Sequence, residues 1–302
     1  WDFETDAEFQ ELLDWADAFV REEVEPLDLI WPHLQYTALD ETRRRVVDPL
    51  KEQVRRKGLW ATHLGPELGG QGYGQLKLAL LNEILGRSQW APIIFGCQAP
   101  DTGNAEIIAH YGTPDQKEQY LRPLLNGEVF SCYSMTEPQG GADPTQFTTS
   151  AVRDGDDWVI NGSKMWITNG NLADVATVWA QTDDGVRGFL VPTDTPGFSA
   201  REMTRKMSLR ASVTSEFSLD DVRLPESARL PGARGLSGPL SCLSEARFGI
   251  VFGAVGAARD CLQATLDYVG TRMVFDKTLA EYQLTQAKIA DMAVELGKAQ
   301  LL

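Results

Sequence analysis

The feature that most constrains the fold of this chain is a change of hydrophobic period, from helical to strand-like and back to helical. Apolar residues such as Phe9 and Ala16 recur at helical spacing in the first third of the chain. Over residues 150–224, short runs rich in Val, Thr, Trp, Phe and Ile alternate with tight-turn pairs such as Asn161-Gly162. After Pro231 the helical period returns, with many small residues between the apolar ones. The sequence therefore predicts helices on either side of a β region.

This order predicts an α+β chain with three domains, in agreement with a length of 302 residues, at which single cores stop growing. We expect a helical N-terminal domain over 1–128, an antiparallel β middle domain over 129–228, and a helical C-terminal domain over 229–302. The last predicted helix starts near Glu281 and is still open at Leu302. We therefore expect the chain to be truncated inside its third domain.

Capping residues predict where two helices of the first domain begin and end. Thr5 and Glu8 have the spacing of a capping box. A second helix is predicted over 40–57, with Gly58 as its left-handed C-cap. The Gly-rich segment 66–74 lacks the dinucleotide fingerprint, because Gln75 stands where the next glycine is required. We expect this segment to be a structural loop.

Composition and residue spacing exclude several function classes. The chain has 28 Lys+Arg and 43 Asp+Glu, and a formal charge of −15 argues against binding to a nucleic-acid backbone. Its four cysteines form no CxxC and its three histidines no HExxH, so neither a metal site nor a Ser-His-Asp triad is expected. We find no apolar run of about 18 residues and no basic-then-apolar leader. We therefore expect no membrane insertion, and a bacterial cytoplasm or a mitochondrial matrix as the location.

Two segments carry residues suited to a flat cofactor. Residues 133–138 read YSMTEP and continue into a Gly-Gly turn, whose exposed N–H groups suit a phosphate or a polarised heterocycle. Residues 164–170 read KMWITNG, in which Trp166 and Thr168 lie two apart and would share a strand face. An indole can lie against a conjugated ring while a hydroxyl bonds its polar edge. Either segment alone is explained by core and turn, whereas both in one β domain indicate a binding site.

The domain order and these two motifs resemble the acyl-CoA dehydrogenase family, over essentially the whole chain. The resemblance includes ELGGQGYG at 67–74, DVRLP at 221–225 and RMVF at 272–275. It implies a flavoprotein oxidoreductase of lipid metabolism that uses FAD to convert an acyl-CoA thioester to the trans-2-enoyl-CoA. Electron-transfer flavoprotein would accept the electrons. The alternatives are an acyl-CoA oxidase that uses oxygen, and a catalytically silent family member that acts as a binding or assembly protein.

The resemblance also implies roles for individual residues. The residues implied to bind FAD are Tyr133, Met135, Thr136, Gly141, Ala142, Trp166, Thr168, Arg272, Phe275 and Gln283. Those implied to contact the substrate are Ala142, Leu243 and Arg247. Arg272, Phe275 and Gln283 would reach the FAD of a neighbouring subunit. A homodimer would then be the minimal unit and a homotetramer the usual one.

The catalytic base is not found at either position that the family uses. In most members the catalytic glutamate lies near the C-terminus, so the resemblance places it beyond Leu302. A minority carry it directly before the arginine at 247, where this chain has Ala246. Glu245 is one residue earlier, which is about 100° of helical rotation. We therefore interpret Glu245 as a surface or packing carboxylate rather than the base.

Two further departures concern the substrate. Ala142 replaces a serine of many relatives, which removes one hydrogen bond worth roughly 0.5–1.5 kcal/mol. Residues 206–212 and 246–250 resemble the glutaryl-CoA branch. A straight count nevertheless puts Ile94 where that branch has an arginine for the distal carboxylate. Because burying a carboxylate without a partner costs several kcal/mol, glutaryl-CoA is disfavoured.

Overall fold

The computed structural model describes residues 5–31, 40–68, 70–207 and 213–302, and it divides into two compact units. The first unit joins Trp1–Ile30, Tyr73–Pro92 and Arg247–Leu302, and the second joins Trp31–Gly72 and Ile93–Ala246. Each unit therefore collects segments that are distant in the sequence. The predicted domain boundaries at 128 and 228 stay predictions.

The helices and strands follow the predicted order, helical, then β, then helical. The helices are α1 (Ala7–Phe19), α2 (Glu25–Ile30), α3 (Glu41–Arg56), α4 (Gly74–Leu85), α5 (Ala91–Ile94), α6 (Asp101–Tyr111), α7 (Pro114–Gln116), α8 (Arg122–Asn126), α9 (Ser237–Thr271) and α10 (Gln283–Leu301). The strands are β1 (Ser131–Ser134), β2 (Ser150–Asp154), β3 (Asp157–Thr168), β4 (Val175–Thr182), β5 (Gly185–Pro192), β6 (Phe198–Glu202), β7 (Thr214–Pro225), β8 (Met273–Val274) and β9 (Lys277–Thr278).

The two predicted helix starts differ in outcome. The N-cap of α1 is Asp6, whose Oδ1 accepts a hydrogen bond from the Phe9 N–H at 2.9 Å. The predicted Thr5–Glu8 capping box is therefore wrong, because the aspartate one residue later is at least as good a cap. For α3 the prediction is confirmed: Asp40 caps the Arg43 N–H, and Gly58 follows the helix at φ +72°.

In the first unit, α4 and α9 approach closely at glycines. A Cβ on Gly256 would lie 1.8 Å from the Glu83 carbonyl oxygen, and one on Gly86 would lie 2.0 Å from the Gly253 carbonyl oxygen. The small residues predicted to permit close helix packing are therefore in contact with a helix backbone. Beside them, the Arg87 side chain is 1% exposed and forms ion pairs with three carboxylates, those of Asp17, Glu25 and Asp260.

The second unit contains a seven-stranded sheet in the order β1-β4-β2-β3-β7-β6, with β5 paired to β4. Antiparallel pairing is confirmed for β2–β3, β3–β7, β6–β7 and β4–β5. Contrary to the prediction of an antiparallel domain throughout, β1 and β4 run parallel, and β2 meets β4 at one parallel position. Tight-turn pairs report only hairpins between consecutive strands, so they carry no signal for this crossover.

One face of this sheet packs against α6 and the start of α9. Ala105 and Ile108 of α6 share a buried cluster with Trp179 of β4, Leu190 of β5 and Cys242 of α9. The Tyr133 hydroxyl at the end of β1 donates a hydrogen bond to the Pro239 carbonyl oxygen at 2.8 Å. This hydrogen bond connects the end of β1 to the first turn of α9.

By length and composition, α9 is long and apolar enough to cross a membrane, the one such helix among the residues described. Its most apolar 18-residue window has a mean hydropathy of 1.3, and 17% of that window is buried. The expectation that no segment has this capacity is not confirmed. A single helix of this kind is weak evidence, because the core helix of a soluble protein meets the same criterion.

Candidate functional site

The first motif forms a tight turn directly after β1. Glu137 and Gly140 bond to each other through both their N–H and carbonyl groups, at 3.1 and 3.3 Å. Gly141 and Ala142 follow on the surface, and their N–H groups donate to no acceptor in the described part of the chain. The predicted turn with available N–H groups is therefore present.

The second motif contains a β-bulge. Lys164 and Ile167 of β3 pair with Phe217 and Ser215 of β7, so β3 has one residue more than its partner strand at this point. Trp166 adopts φ +63°, and its side chain is 57% exposed. A bulky residue in this left-handed region is an outlier, and such strain tends to concentrate at functional sites. The bulge, and not the regular alternation expected from sequence, decides where Trp166 points.

A backbone hydrogen bond joins the two motifs. The Met165 N–H donates to the Thr136 carbonyl oxygen at 2.9 Å. Thr136 and Thr168 are half-buried, and neither hydroxyl has a hydrogen-bond partner among the described residues. A Cβ on Gly141 would lie 3.7 Å from Cγ2 of Thr136, so the Gly-Gly turn lies beside the same threonine. The two motifs, joined by this hydrogen bond, thus carry two hydroxyls without partners, exposed N–H groups and an exposed indole, all within the second unit.

Beneath this surface lies a buried ion pair that sequence reasoning missed. Lys164 Nζ contacts Glu137 Oε1 at 2.8 Å and also donates to the carbonyl oxygens of Met135 and Trp179 at 3.2 and 2.7 Å. Glu137 Oε2 accepts the Thr148 N–H at 2.7 Å. Both residues belong to the quoted motifs, but their 27-residue separation carries no local signal for pairing.

The network keeps both members of this pair charged. Burial on its own would raise the pKa of Glu137, but hydrogen bonds from Lys164, Thr149 and Thr148 outweigh it and lower that pKa to about 2. Burial also lowers the pKa of Lys164 to about 8, against the opposing effect of Glu137. At neutral pH the pair is therefore a carboxylate and an ammonium.

A second acid, half-buried and with one buried carboxyl oxygen, lies near the start of α9. Burial, with a smaller contribution from Glu245, raises the pKa of Glu106 on α6 to about 8. Its Oε2 is buried without a hydrogen-bond partner. Glu245 itself is exposed, and Leu243 is half-buried against the cluster that contains Met135. No sequence feature singled out Glu106, because its burial depends on packing between α6 and α9.

The remaining predicted site residues belong to the first unit. Arg247, Arg272 and Gln283 are exposed. Phe275 lies in the β8–β9 hairpin at φ +53° and is 91% exposed. The cofactor roles of Arg272, Phe275 and Gln283 stay predictions, as do the substrate roles of Arg247 and Leu243.

Comparison with known proteins decides the family. Three models describing the N-terminal, middle and C-terminal domains of acyl-CoA dehydrogenase match residues 6–128, 132–222 and 233–302. The chain belongs to the acyl-CoA dehydrogenase family. This confirms the resemblance drawn from its motifs, the order of helical, β and helical regions, and FAD as the cofactor of the family.

The relatives include enzymes named for different substrates. A glutaryl-CoA dehydrogenase from Mycobacterium smegmatis, solved with FADH2, is 47% identical with a TM-score of 0.85, over 98% of this chain and 74% of that one. A probable acyl-CoA dehydrogenase of Bacillus subtilis is 33% identical over 99% of this chain and 78% of its own. The human mitochondrial short-chain specific enzyme is 34% identical over 81% of this chain. This chain spans only 61% of the human enzyme's length.

The residues present fit a flavin. The unpartnered hydroxyls of Thr136 and Thr168, the exposed Trp166 indole and the free N–H groups of Gly141 and Ala142 are groups that a polar, planar, phosphate-bearing cofactor requires. No group of His, Cys, Asp or Glu able to hold a metal occurs among the described residues.

Two observations bear on the glutaryl-CoA comparison. Ile94 is fully buried in α5, so it is part of the packed interior. Of the segment 206–212, residues 208–212 lie outside those described. The arginine of the glutaryl-CoA branch therefore has no counterpart at Ile94. Because the chain is nevertheless 47% identical to a glutaryl-CoA dehydrogenase, the identity of the acyl group has to be determined by experiment.

Proposed function

We propose that the protein containing this chain catalyses FAD-dependent α,β-dehydrogenation of an acyl-CoA thioester and passes the electrons to an electron-transfer flavoprotein. The observation that supports this most strongly is the Met165–Thr136 hydrogen bond, which joins the two motifs into one surface. Free hydroxyls and a strained, exposed indole on that surface suit a flavin ring.

In this proposal the chain binds and orients the reactants. Trp166 would cover the flavin ring, and the Thr136 and Thr168 hydroxyls would bond its polar edge. Tyr133 in β1 and Met135 directly after it would support the ring. The Gly141 and Ala142 N–H groups would face the pyrophosphate and the thioester, where the lack of larger side chains would permit close approach. Bound FAD would supply the acceptor for the β-hydrogen as hydride.

The acyl group would contact Ala142 and Leu243, and Arg247 keeps the substrate role that the family resemblance implies. The apolar cluster around Met135 and Cys242 lies behind Leu243 and would limit access of water. Exclusion of water raises the basicity of a carboxylate that removes the α-proton. We assign that carboxylate to no residue of this chain, and the exposed Glu245 is retained only as a candidate to be tested.

The proposed partners follow from the family. They are the acyl-CoA substrate, an electron-transfer flavoprotein and further copies of the chain in a homodimer or homotetramer. The proposed location is a bacterial cytoplasm or a mitochondrial matrix, since the relatives include a mitochondrial and a bacterial protein.

Anaerobic titration of the purified full-length protein tests the proposal. We expect bound FAD, and bleaching of its visible absorbance by at least one of short-chain, medium-chain, long-chain, branched or glutaryl thioesters. Rapid reoxidation in air would instead identify an oxidase. Bound FAD with no bleaching by any thioester would identify a catalytically silent member and overturn the enzymatic proposal. Glu245→Gln should bleach at the wild-type rate, and a loss of bleaching would make Glu245 the base.

A further inference from the structure

Lys164 is completely buried in the middle of the sheet, yet it is a charged residue. Its side chain is 0% exposed, and its ammonium group lies 4.5 Å above the Phe147 ring. It donates to Glu137 Oε1 and to two main-chain carbonyls, those of Met135 and Trp179. Because isolated buried charges are strongly disfavoured, a residue in this position needs all of these acceptors.

We propose that Lys164 is a positioning residue for the flavin site: it holds the main chain that carries Thr136 and Trp166 in the conformation that binds the ring. This inference rests on the proposed function. Lys164 is not expected to touch flavin or substrate.

Lys164 and the residue after it form hydrogen bonds to the backbone on both sides of Thr136. The Met135 carbonyl that it binds immediately precedes Thr136 along the chain. Met165, which immediately follows Lys164, donates its N–H to the Thr136 carbonyl. Lys164 therefore fixes the peptide on one side of Thr136 through its side chain, and the other side through its neighbour's backbone.

The same residue starts the bulge that exposes Trp166. The register shift begins at Lys164, which is the last regularly paired residue before Trp166. Trp166 is held at φ +63°, a conformation that needs the surrounding structure to maintain it. The Trp179 carbonyl, 2.7 Å from Nζ, ties the bulge to β4 in the sheet interior. An apolar side chain of equal length would fill the space but could bind neither carbonyl.

Glu137 has a separate task in the network. Its Oε2 accepts from Thr148 and Gln139, and its Oε1 accepts from Lys164 and the Thr149 N–H. It therefore holds the loop before β2 and balances the charge of Lys164. Glu137→Gln keeps an acceptor oxygen for that loop and leaves the lysine bonded to both carbonyls.

This division of tasks separates positioning from stability. Lys164→Met alone leaves the Glu137 carboxylate buried without its partner, so we expect a lower Tm. Lys164→Met with Glu137→Gln removes both charges and should recover most of the Tm. If Lys164 positions the site, the double variant should still bind FAD about tenfold or more weakly than wild type, because the carbonyl contacts are gone.

The measurements are Tm of apoprotein, the Kd for FAD and the visible absorbance of the bound flavin, all on the full-length protein. We expect the double variant to show near-wild-type Tm, weakened FAD binding and a shifted flavin band. If Tm, the Kd for FAD and the flavin band of the double variant all return to wild-type values, Lys164 only stabilises the fold and the inference is overturned. The control Arg223→Met removes two exposed ion pairs of the same sheet, those with Asp154 and Asp157, and should change none of them.

Two further outcomes are informative. If neither lysine variant folds, Glu137→Gln decides, because it should stay within about threefold of the wild-type FAD affinity when the carbonyl contacts of Lys164 are what matters. A tenfold loss in Glu137→Gln would contradict the inference. If wild type itself binds no FAD, the proposed function fails. If wild type binds FAD but the double variant binds it equally tightly, only the inference about Lys164 fails.

Discussion

Glu106 shows what a single half-buried carboxyl does to the pH dependence of this protein. Burial raises its pKa to about 8, and its Oε2 has no hydrogen-bond partner within the described part of the chain. Because the folded-state pKa lies above the model value of 4.5, the folded state binds more protons between these two pH values. Stability should therefore fall as pH rises from about 4.5 to about 8.

Replacing this residue with its neutral isostere should remove that loss. We expect Glu106→Gln to be more stable than wild type at pH 8, by about 2 kcal/mol after allowance for partial solvent screening, and to differ much less at pH 5. Urea unfolding at both pH values measures the difference. Glu202→Gln, an exposed carboxylate at the end of β6, is the control. An equal effect of Glu106→Gln at both pH values would contradict a buried protonated acid.

We expect Trp166 to lower the stability of the apoprotein and to strengthen FAD binding. Its left-handed backbone costs roughly 1–3 kcal/mol in a bulky residue, whereas asparagine tolerates this region. We expect Trp166→Asn to raise the apoprotein's free energy of unfolding by about 1 kcal/mol and to weaken FAD binding. Denaturant unfolding and flavin titration measure the two effects. Trp166→Phe, which keeps an aromatic face and the strain, should show neither the gain in stability nor the full loss of affinity.

At the scale of elements, the sequence predicted what local chemistry determines. The bounds of α3 follow from Asp40 and Gly58, and the hairpins follow from tight-turn pairs, because each signal lies within a few residues. The β3 bulge and the parallel β1–β4 pair escaped prediction. Both depend on a partner strand far along the chain, β7 in one case and β4 in the other.

The residues of the candidate site also fall into those that local sequence predicted and those that only the fold brings together. The motif residues Thr136, Trp166 and Thr168 were predicted from sequence, and the structure joins their two segments by a backbone hydrogen bond and by the contacts of Lys164 with Met135 and Glu137. Lys164 and Glu137 stand in those motifs without a predicted role, since only the folded sheet brings their side chains together. The left-handed backbone conformation of Trp166 could likewise not be predicted from sequence, because the position of a bulge depends on strand register.

The glycines of α9 supply the test of helix packing. A methyl group on Gly256 would lie 1.8 Å from the Glu83 carbonyl oxygen, so Gly256→Ala must force α4 and α9 apart. We expect a loss of about 3 kcal/mol in the free energy of unfolding. Gly270 lies in the same helix with no atom within 4 Å of a built Cβ. Gly270→Ala should therefore stabilise the helix by roughly 0.5–1 kcal/mol, and equal effects of the two changes would reject the packing.

At the scale of the whole molecule, the exposed apolar residues of the first unit require an explanation. Phe275 is 91% exposed, and Met273 and Leu284 are also exposed. Scattered apolar residues on a surface are ordinary, but a solvent-facing phenylalanine in a left-handed conformation is not. Contact with another copy of the chain would bury this hairpin, as the proposed homo-oligomer requires.

Arg272 tests whether that contact also completes the cofactor site. It is exposed and directly precedes the β8–β9 hairpin, where it would reach the pyrophosphate of a neighbouring subunit's FAD. We expect Arg272→Ala to lower FAD occupancy and to shift the oligomer toward smaller species, because one charged contact would serve both functions. Flavin absorbance per protomer and sedimentation velocity measure the two effects on the full-length protein. Lys288→Ala, an exposed cation on α10, should leave both unchanged, and unaltered occupancy in Arg272→Ala would reject the intersubunit role.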